Sequence, residues 1–436
     1  MTTRYLLLLL LFPALLFAQQ DKLKRIDSLL SYYESKNEWM GSVAISDNGK
    51  VIFSKAYGLS DVSKNKRPDA NTGYKIGSIT KMFTSAIVFQ LIENGKLTLD
   101  TKLAKYYPQV PNSDKITIVQ LLGHRSGLFN YTDDTTVVNS WRNPISKAVM
   151  LDKIKSYQSL FAPGTRSQYS NSNYYLLGLI IEDITKKSYS ANVQDRIIKK
   201  LGLKRTIYPD KPDPAHNEAL SYKTSGGKWV LEEPWDHSFA SSAGALVGTP
   251  SDLTVFIQAL FDGKIISESS LAQMTKIEDG YGRGIFPIPF YEKKGYGHTG
   301  GIEQFASSVA YFPTEKVAIS MVANAKGENN NDIAIGILSL HFEKPYTFPN
   351  LDKVIVDTKI LKSYEGVYSS PTFPLKIEIS ESNGTLTAQA TGQPALTLET
   401  INESEFAFKQ AGANFTLGNN KLTLKQAGAT FELTKE

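Results

Sequence analysis

Two stretches near the start of the chain and two around residue 310 alternate apolar and polar positions with a period of two, and helical periodicity fills the sequence between them. Residues 41–46 and 51–56, joined by Asp47-Asn48-Gly49, predict a β-hairpin, because Asn-Gly favours the left-handed backbone of a tight turn. Residues 305–312 and 316–324, joined through Pro313-Thr314-Glu315, predict another strand pair, and 333–342 an amphipathic helix after it. The intervening helices are expected at 82–94, stopped by Gly95, at 116–122, at 174–187, and at 251–261 behind Thr249-Pro250. Strands from both sides of a helical stretch point to an α+β fold: an antiparallel sheet flanked by helices, with a mainly helical subdomain inserted.

Residues 346–360 lose this periodicity and read as a linker, and after Tyr364 the texture changes to short alternating strands separated by Gly and Asn. Segment 409–417 recurs at 425–433, an offset of 16 residues, with Lys-Gln-Ala-Gly-Ala opening both copies. Two copies at so short a period mark a repeated hairpin, not a solenoid. Residues 361–436 are therefore expected to form a small antiparallel β-domain, a meander either open or closed into a barrel. It carries no visible catalytic constellation.

A chain of 436 residues, 41% hydrophobic and 21% charged, can bury a substantial core. Its net charge of +5 comes from interleaved signs, so no nucleic-acid partner is expected. Cysteine is absent, which excludes disulfides, thiol nucleophiles and thiolate metal sites. The opening Met1-Thr2-Thr3-Arg4-Tyr5, an apolar run from Leu6 to Phe17, and then Ala18-Gln19 describe a signal peptide over 1–18, with an uncleaved anchor as the competing reading. A periplasmic or secreted domain over 19–345 follows from that expectation. Later apolar segments are too short to cross a bilayer, so the mature chain should have no membrane span. His124, His216, His237, His298 and His341 lack metal-ligand spacing, and no phosphate-binding loop is present, so neither metal nor cofactor is expected.

Ser78-Ile79-Thr80-Lys81 stands at the head of the apolar run 82–92. Three residues are about one helical turn, so the hydroxyl and the amine share a face. A helix N-terminus favours the developing oxyanion, and a desolvated Lys81 would lose its proton more readily than a surface lysine. The plain alternative is a serine cap beside a surface lysine, and Ser63/Lys66 and Ser225/Lys228 show that chance generates the same spacing. In the second element, Phe161 to Tyr174, Tyr169 and Asn171 alternate along an extended approach to a helix, which points a phenol and an amide the same way. Core packing of Tyr169 and helix capping by Asn171 would explain them equally. The third element, Gly295-Tyr296-Gly297-His298-Thr299-Gly300-Gly301, is expected directly before a strand. Its glycines mark a close backbone approach, read as a peptide substrate along an edge, with the Gly301 and Ser78 amides as oxyanion donors; a flexible turn with an exposed histidine is the alternative.

Ser-x-x-Lys, Tyr-Ser-Asn and His-Thr-Gly, in this order, resemble the three motifs of the penicillin-recognising serine hydrolases. Over roughly residues 25–345 the sequence looks like the branch holding class C β-lactamases, D-alanyl-D-alanine carboxypeptidases and related esterases, and Leu121-Leu122-Gly123-His124-Arg125-Ser126-Gly127-Leu128 adds to the likeness. The resemblance implies a β-lactamase-like fold. It makes Ser78 the acylated nucleophile, Lys81 and Tyr169 the proton-transfer pair, Asn171 a substrate-amide contact, and His298 with Thr299 the wall on the leaving-group side. Gly300 and Gly301 join the substrate-binding set. Class C β-lactamases carry Lys where this chain has His298; the His form is similar to that of some carboxypeptidases and of esterases. The implied partner is a small-molecule or peptide substrate, peptidoglycan-derived among the candidates. The function expected is an exported serine hydrolase acting on D-amino-acid peptides, β-lactams or small esters and amides, with a weak β-lactamase or a non-catalytic binder of envelope ligands as the competing readings. Arg283 is a candidate anchor for a substrate carboxylate.

Overall fold

The expected hairpin forms as β1 (Gly41–Asp47) and β2 (Lys50–Tyr57), with Asn48 at φ 46° and Gly49 at φ 84° in the turn. The protein is described by a computed structural model over residues 3–209, 214–225, 228–325, 329–352, 354–408, 411–426 and 428–436. Four further strands complete a six-stranded sheet: β3 (Phe286–Pro287), β4 (Tyr296–Ile302), β5 (Phe305–Phe312) and β6 (Val317–Ala323). Their order is β2-β1-β6-β5-β4-β3, with every neighbouring pair antiparallel. All of β6 is buried, so both faces of the sheet centre are covered, which explains why its sequence is a nearly continuous apolar run.

Helices supply that cover: α1 (Thr3–Ser35), α2 (Thr80–Glu93), α3 (Asn171–Thr185), α4 (His237–Gly244), α5 (Pro250–Phe261) and α6 (Asn330–His341). α1 packs with α6, and α5 lies on β1, β5 and β6. Thr249 opens α5 by accepting a hydrogen bond from the Asp252 amide at 3.1 Å, with Pro250 in the first turn. The expected leader, 1–18, falls on residues that are undescribed or whose side chains are undescribed; no described helix is long and apolar enough to cross a membrane.

Two expectations are adjusted. The helix read at 174–187 begins a turn earlier, at Asn171, because the Asn171 amide finds its acceptor on a distant residue, Asn130 Oδ1, at 2.9 Å. From Tyr296 on, the glycine-rich 295–301 segment is itself strand β4, paired along its length with β5, and does not merely precede a strand. Its glycines permit close backbone packing in the sheet: a Cβ at Gly297 would lie 1.9 Å from the Val309 carbonyl oxygen.

Chain contacts divide the protein after Phe348. The unit from Pro349 holds a nine-stranded antiparallel sheet whose two edge strands, Leu396–Thr397 and Glu399–Thr400, are separated in sequence by Leu398 alone. Edges that close in sequence must also lie close in space, so the sheet curls into a near-barrel. Its core includes Tyr368, Leu386, Phe406, Leu417, Leu422 and Leu433, and Val356 from the stretch read as a linker is buried there too. In the repeat, the first copy runs onto strand Ala413–Gly418, whereas the second opens on the end of strand Lys421–Gln426 and continues on Ala429–Lys435; Lys409, Gln410 and Ala427 lie outside the described residues.

Candidate active site

α2 is the central helix of the first unit: every residue from Thr80 to Leu91 is buried, polar ones included. A buried polar group is costly without a partner, and here the partners come from other elements. Thr84 Oγ1 donates to the Ser242 carbonyl at 2.7 Å, and Ser85 Oγ to the Arg283 carbonyl at 2.5 Å. Before α2, a tight turn over Gly77–Ile79 presents Ser78, which stays half-buried while Gly77 and Ile79 are enclosed. Gly77 sits at φ 51°, and a Cβ there would lie 2.8 Å from the Gly301 amide nitrogen. A Cβ at Gly300 would lie 2.1 Å from the Ile76 carbonyl oxygen. The backbone that approaches Gly300 is therefore the chain's own nucleophile turn, whereas the expected approach was a substrate's. At Gly301, by contrast, the space on the Cβ side is open, with the first atom 4.0 Å away.

Lys81 is fully buried, and its Nζ lies 2.9 Å from Ser78 Oγ, 2.7 Å from Asn171 Oδ1 and 2.7 Å from the Ala243 carbonyl oxygen. Burial holds its pKa well below that of an ordinary lysine. A neutral amine has two N–H donors and one lone pair. The Asn171 Oδ1 and the Ala243 carbonyl oxygen can only accept, so they take the donors and leave the lone pair for the Ser78 hydroxyl. Tyr169 donates to Ser78 Oγ at 2.7 Å, and burial raises its pKa, so the phenol keeps its proton.

The sequence-derived residues divide into those that meet and those that do not. Ser78, Lys81, Tyr169 and Asn171 form one hydrogen-bonded cluster. Both ends of the Asn171 amide are engaged by protein, Oδ1 by Lys81 and Nδ2 by Thr132 Oγ1 at 3.1 Å. His298 does not hydrogen-bond to that cluster: Nδ1 meets the Thr299 carbonyl at 2.5 Å, and Nε2 is buried without a partner among the described residues. Its ring lies against Phe286, with centroids 4.3 Å apart, and burial followed by the Lys81 charge lowers its pKa to about 3. His298 is thus a neutral, enclosed imidazole, neither the exposed histidine of a flexible turn nor a free side chain in the cleft. Thr299 and Gly301 are exposed, and Gly300 is half-buried. Arg283 is not a carboxylate anchor: its side chain is buried and its Nη1 donates to the Gln273 carbonyl at 2.9 Å and to Gln273 Oε1.

Sequence reasoning missed three supports. Ala243, whose carbonyl holds Lys81, follows Ser241 in α4, where φ 41° and ψ −132° break the helix and redirect its carbonyls. Nothing in the small-residue run Ala240-Ser241-Ser242-Ala243 announces this. Thr132 steadies Asn171. His124 was visible as part of a motif without a role; its ring stacks on Tyr169 at 4.4 Å and its Nδ1 accepts from the Ser170 amide at 3.2 Å.

The chain belongs to the beta-lactamase family, whose model matches residues 40–341. It is similar to Protein flp of Staphylococcus aureus strain MW2, 28% identical over 326 residues, which cover 71% of this chain and 64% of that protein. The chain thus matches less than two thirds of that relative's length. Teichoic acid D-alanine hydrolase of Staphylococcus aureus strain NCTC 8325 / PS 47 is 27% identical over 328 residues, 73% of this chain and 77% of that protein. The octameric penicillin-binding protein homologue from Pyrococcus abyssi shares the fold at a TM-score of 0.69 and 23% identity, covering 94% of this chain and 99% of that one. D-amino acid amidase from Ochrobactrum anthropi SV3 does so at a TM-score of 0.67 and 22% identity, covering 74% and 99%.

Proposed function

We propose that the protein is an exported serine hydrolase that forms an acyl-enzyme on Ser78, acting on D-amino-acid peptides or on small esters and amides, in the manner of a D-alanyl-D-alanine carboxypeptidase or an esterase. The observation that carries this reading is the convergence of Lys81 Nζ and Tyr169 Oη on one oxygen, Ser78 Oγ, at 2.9 and 2.7 Å. Lys81, held neutral by burial, takes the Ser78 proton as Oγ bonds to the substrate carbonyl carbon. The amides of Ser78 and Gly301 receive the oxyanion. When the bond to the leaving atom breaks, the Tyr169 phenol gives that atom its proton, and the Lys81 ammonium restores the phenol. Water then attacks the ester, its proton passes to the same pair, and Ser78 Oγ leaves reprotonated. Asn171 acts through Lys81 in this scheme, fixing the amine's direction.

The similarity to a teichoic acid D-alanine hydrolase and the fold shared with a D-amino acid amidase favour D-alanyl esters and D-amino-acid amides as acyl donors, and an envelope location for the enzyme. Incubation with a fluorescent fluorophosphonate, which modifies an activated serine covalently, tests the reaction. Wild type should become covalently labelled and Ser78→Ala should not; label persisting in that variant would remove Ser78 from its role. A non-catalytic binder of envelope ligands would turn over no chromogenic ester at all.

A further inference from the structure

Resting on the acyl-enzyme reading, the identity of the leaving group can be narrowed. Tyr169 hands a proton to the departing atom, so whatever surrounds the phenol surrounds the leaving group. Two half-buried aromatic rings stand there: Tyr281 and Phe286, each with its centroid 6.5 Å from that of Tyr169 and 5.4 Å from each other. Phe286 belongs to β3, which pairs with Tyr296 and Gly297 of β4, and its ring covers His298. The segment between the rings is fixed from behind, with the Arg283 carbonyl tied to Ser85 of α2 and the Arg283 guanidinium tied to Gln273. A wall so anchored is preorganised for binding.

A carboxylate in this position would require a cation to replace its lost hydration. Described cations on the segments that build the site are engaged elsewhere: Lys75 is buried against Glu303, Arg125 pairs with Asp279, Arg166 lies over the Phe161 ring, Arg283 faces Gln273, and Lys81 lies beneath Ser78. None of the polar rings at the wall carries a positive charge: Tyr281 is a phenol, the His124 imidazole is buried against Tyr169 and Tyr281, and His298 is neutral and shielded by Phe286. We infer that Tyr281 and Phe286 form a leaving-group subsite for an uncharged, apolar-faced group, so that, of the alternatives in the proposed function, the enzyme follows the esterase and amidase one, releasing neutral alcohols or amines, and discriminates against the carboxypeptidase one, in which the leaving residue bears a free carboxylate.

Methyl 4-acetoxybenzoate and 4-acetoxybenzoate present one acyl group and two aryl leaving groups that differ in charge, and each enzymatic rate is divided by the uncatalysed rate of the same ester. Wild type should favour the methyl ester at least tenfold in kcat/KM. Phe286→Ala and Tyr281→Ser should narrow the ratio chiefly by raising KM for the methyl ester, and Phe286→Arg should shift preference toward the carboxylate. Retained labelling of Ser78 by the fluorescent fluorophosphonate, whose leaving fluoride carries no carboxylate, identifies variants that still fold. A wild-type ratio near one, or a ratio unmoved in a labelled Phe286→Arg, overturns the inference and leaves the acyl-enzyme reading standing. Turnover of neither ester, together with an unlabelled Ser78, overturns that reading and this inference with it.

Discussion

The two units bury different chemistry. In the first, Lys75, Lys81, Thr84, His124, Asn173, Arg283 and His298 are all enclosed, whereas among the described residues of the second the buried set is apolar, from Tyr368 to Leu433. Enclosing polar groups lowers stability unless each is paired, and the first unit pairs most of them through contacts distant in sequence. The contrast teaches where to look for chemistry: a core that accepts an amine is organised around what that amine does, while an apolar β core is organised around holding its shape.

Substituting Lys81 tests this contrast most directly. Lys81→Met keeps much of the volume, removes the base, and should cut kcat/KM by about a hundredfold to ten-thousandfold. The same variant should melt close to wild type, because removing an amine kept from its proton offsets the partner that Asn171 Oδ1 and the Ala243 carbonyl lose. A fall in both properties together would mean that Lys81 serves the fold as well as the reaction. Tyr169→Phe should fold normally and lose on the order of a hundredfold in kcat, with chromogenic-ester kinetics as the readout. In the second unit, Leu422→Ala should cost about 2–5 kcal/mol in denaturant unfolding of that unit, the usual penalty for a cavity in an apolar core.

A pH profile sharpens the same point. Lys81 must be neutral to accept a proton, and burial lowers its pKa, so kcat/KM should rise about tenfold per pH unit and level off below the pKa of an ordinary lysine. The unfolded chain binds that proton more readily than the folded one. The stability penalty from Lys81 is therefore present below the unfolded lysine pKa and shrinks as pH rises toward it. His298, at about 3, should contribute no limb near neutrality, and a limb that disappears in His298→Gln would contradict its neutral, enclosed state.

Much of this arrangement was legible from local pattern. A hydroxyl and an amine one turn apart, the Asn48-Gly49 turn and the strand pairs either side of the helical insertion follow from spacing that survives folding. The supports were not, because they are made by segments far apart: the Ala243 carbonyl, the grip of Thr132 on Asn171, and the packing of Ile76 against Gly300 exist only after the chain has closed. His298 illustrates the limit. Its motif was plain, yet its burial under Phe286 depends on the pairing of β3 with β4, two residues long, which no periodicity announces.

Ser241 leaves a durable mark on how this enzyme can change. The acceptor it exposes at position 243 is part of the main chain, so no exchange of side chain at that position deletes it. Point mutation can tune the serine, the phenol and the amide around the amine, but this third contact is inherited intact by every variant that keeps the bend.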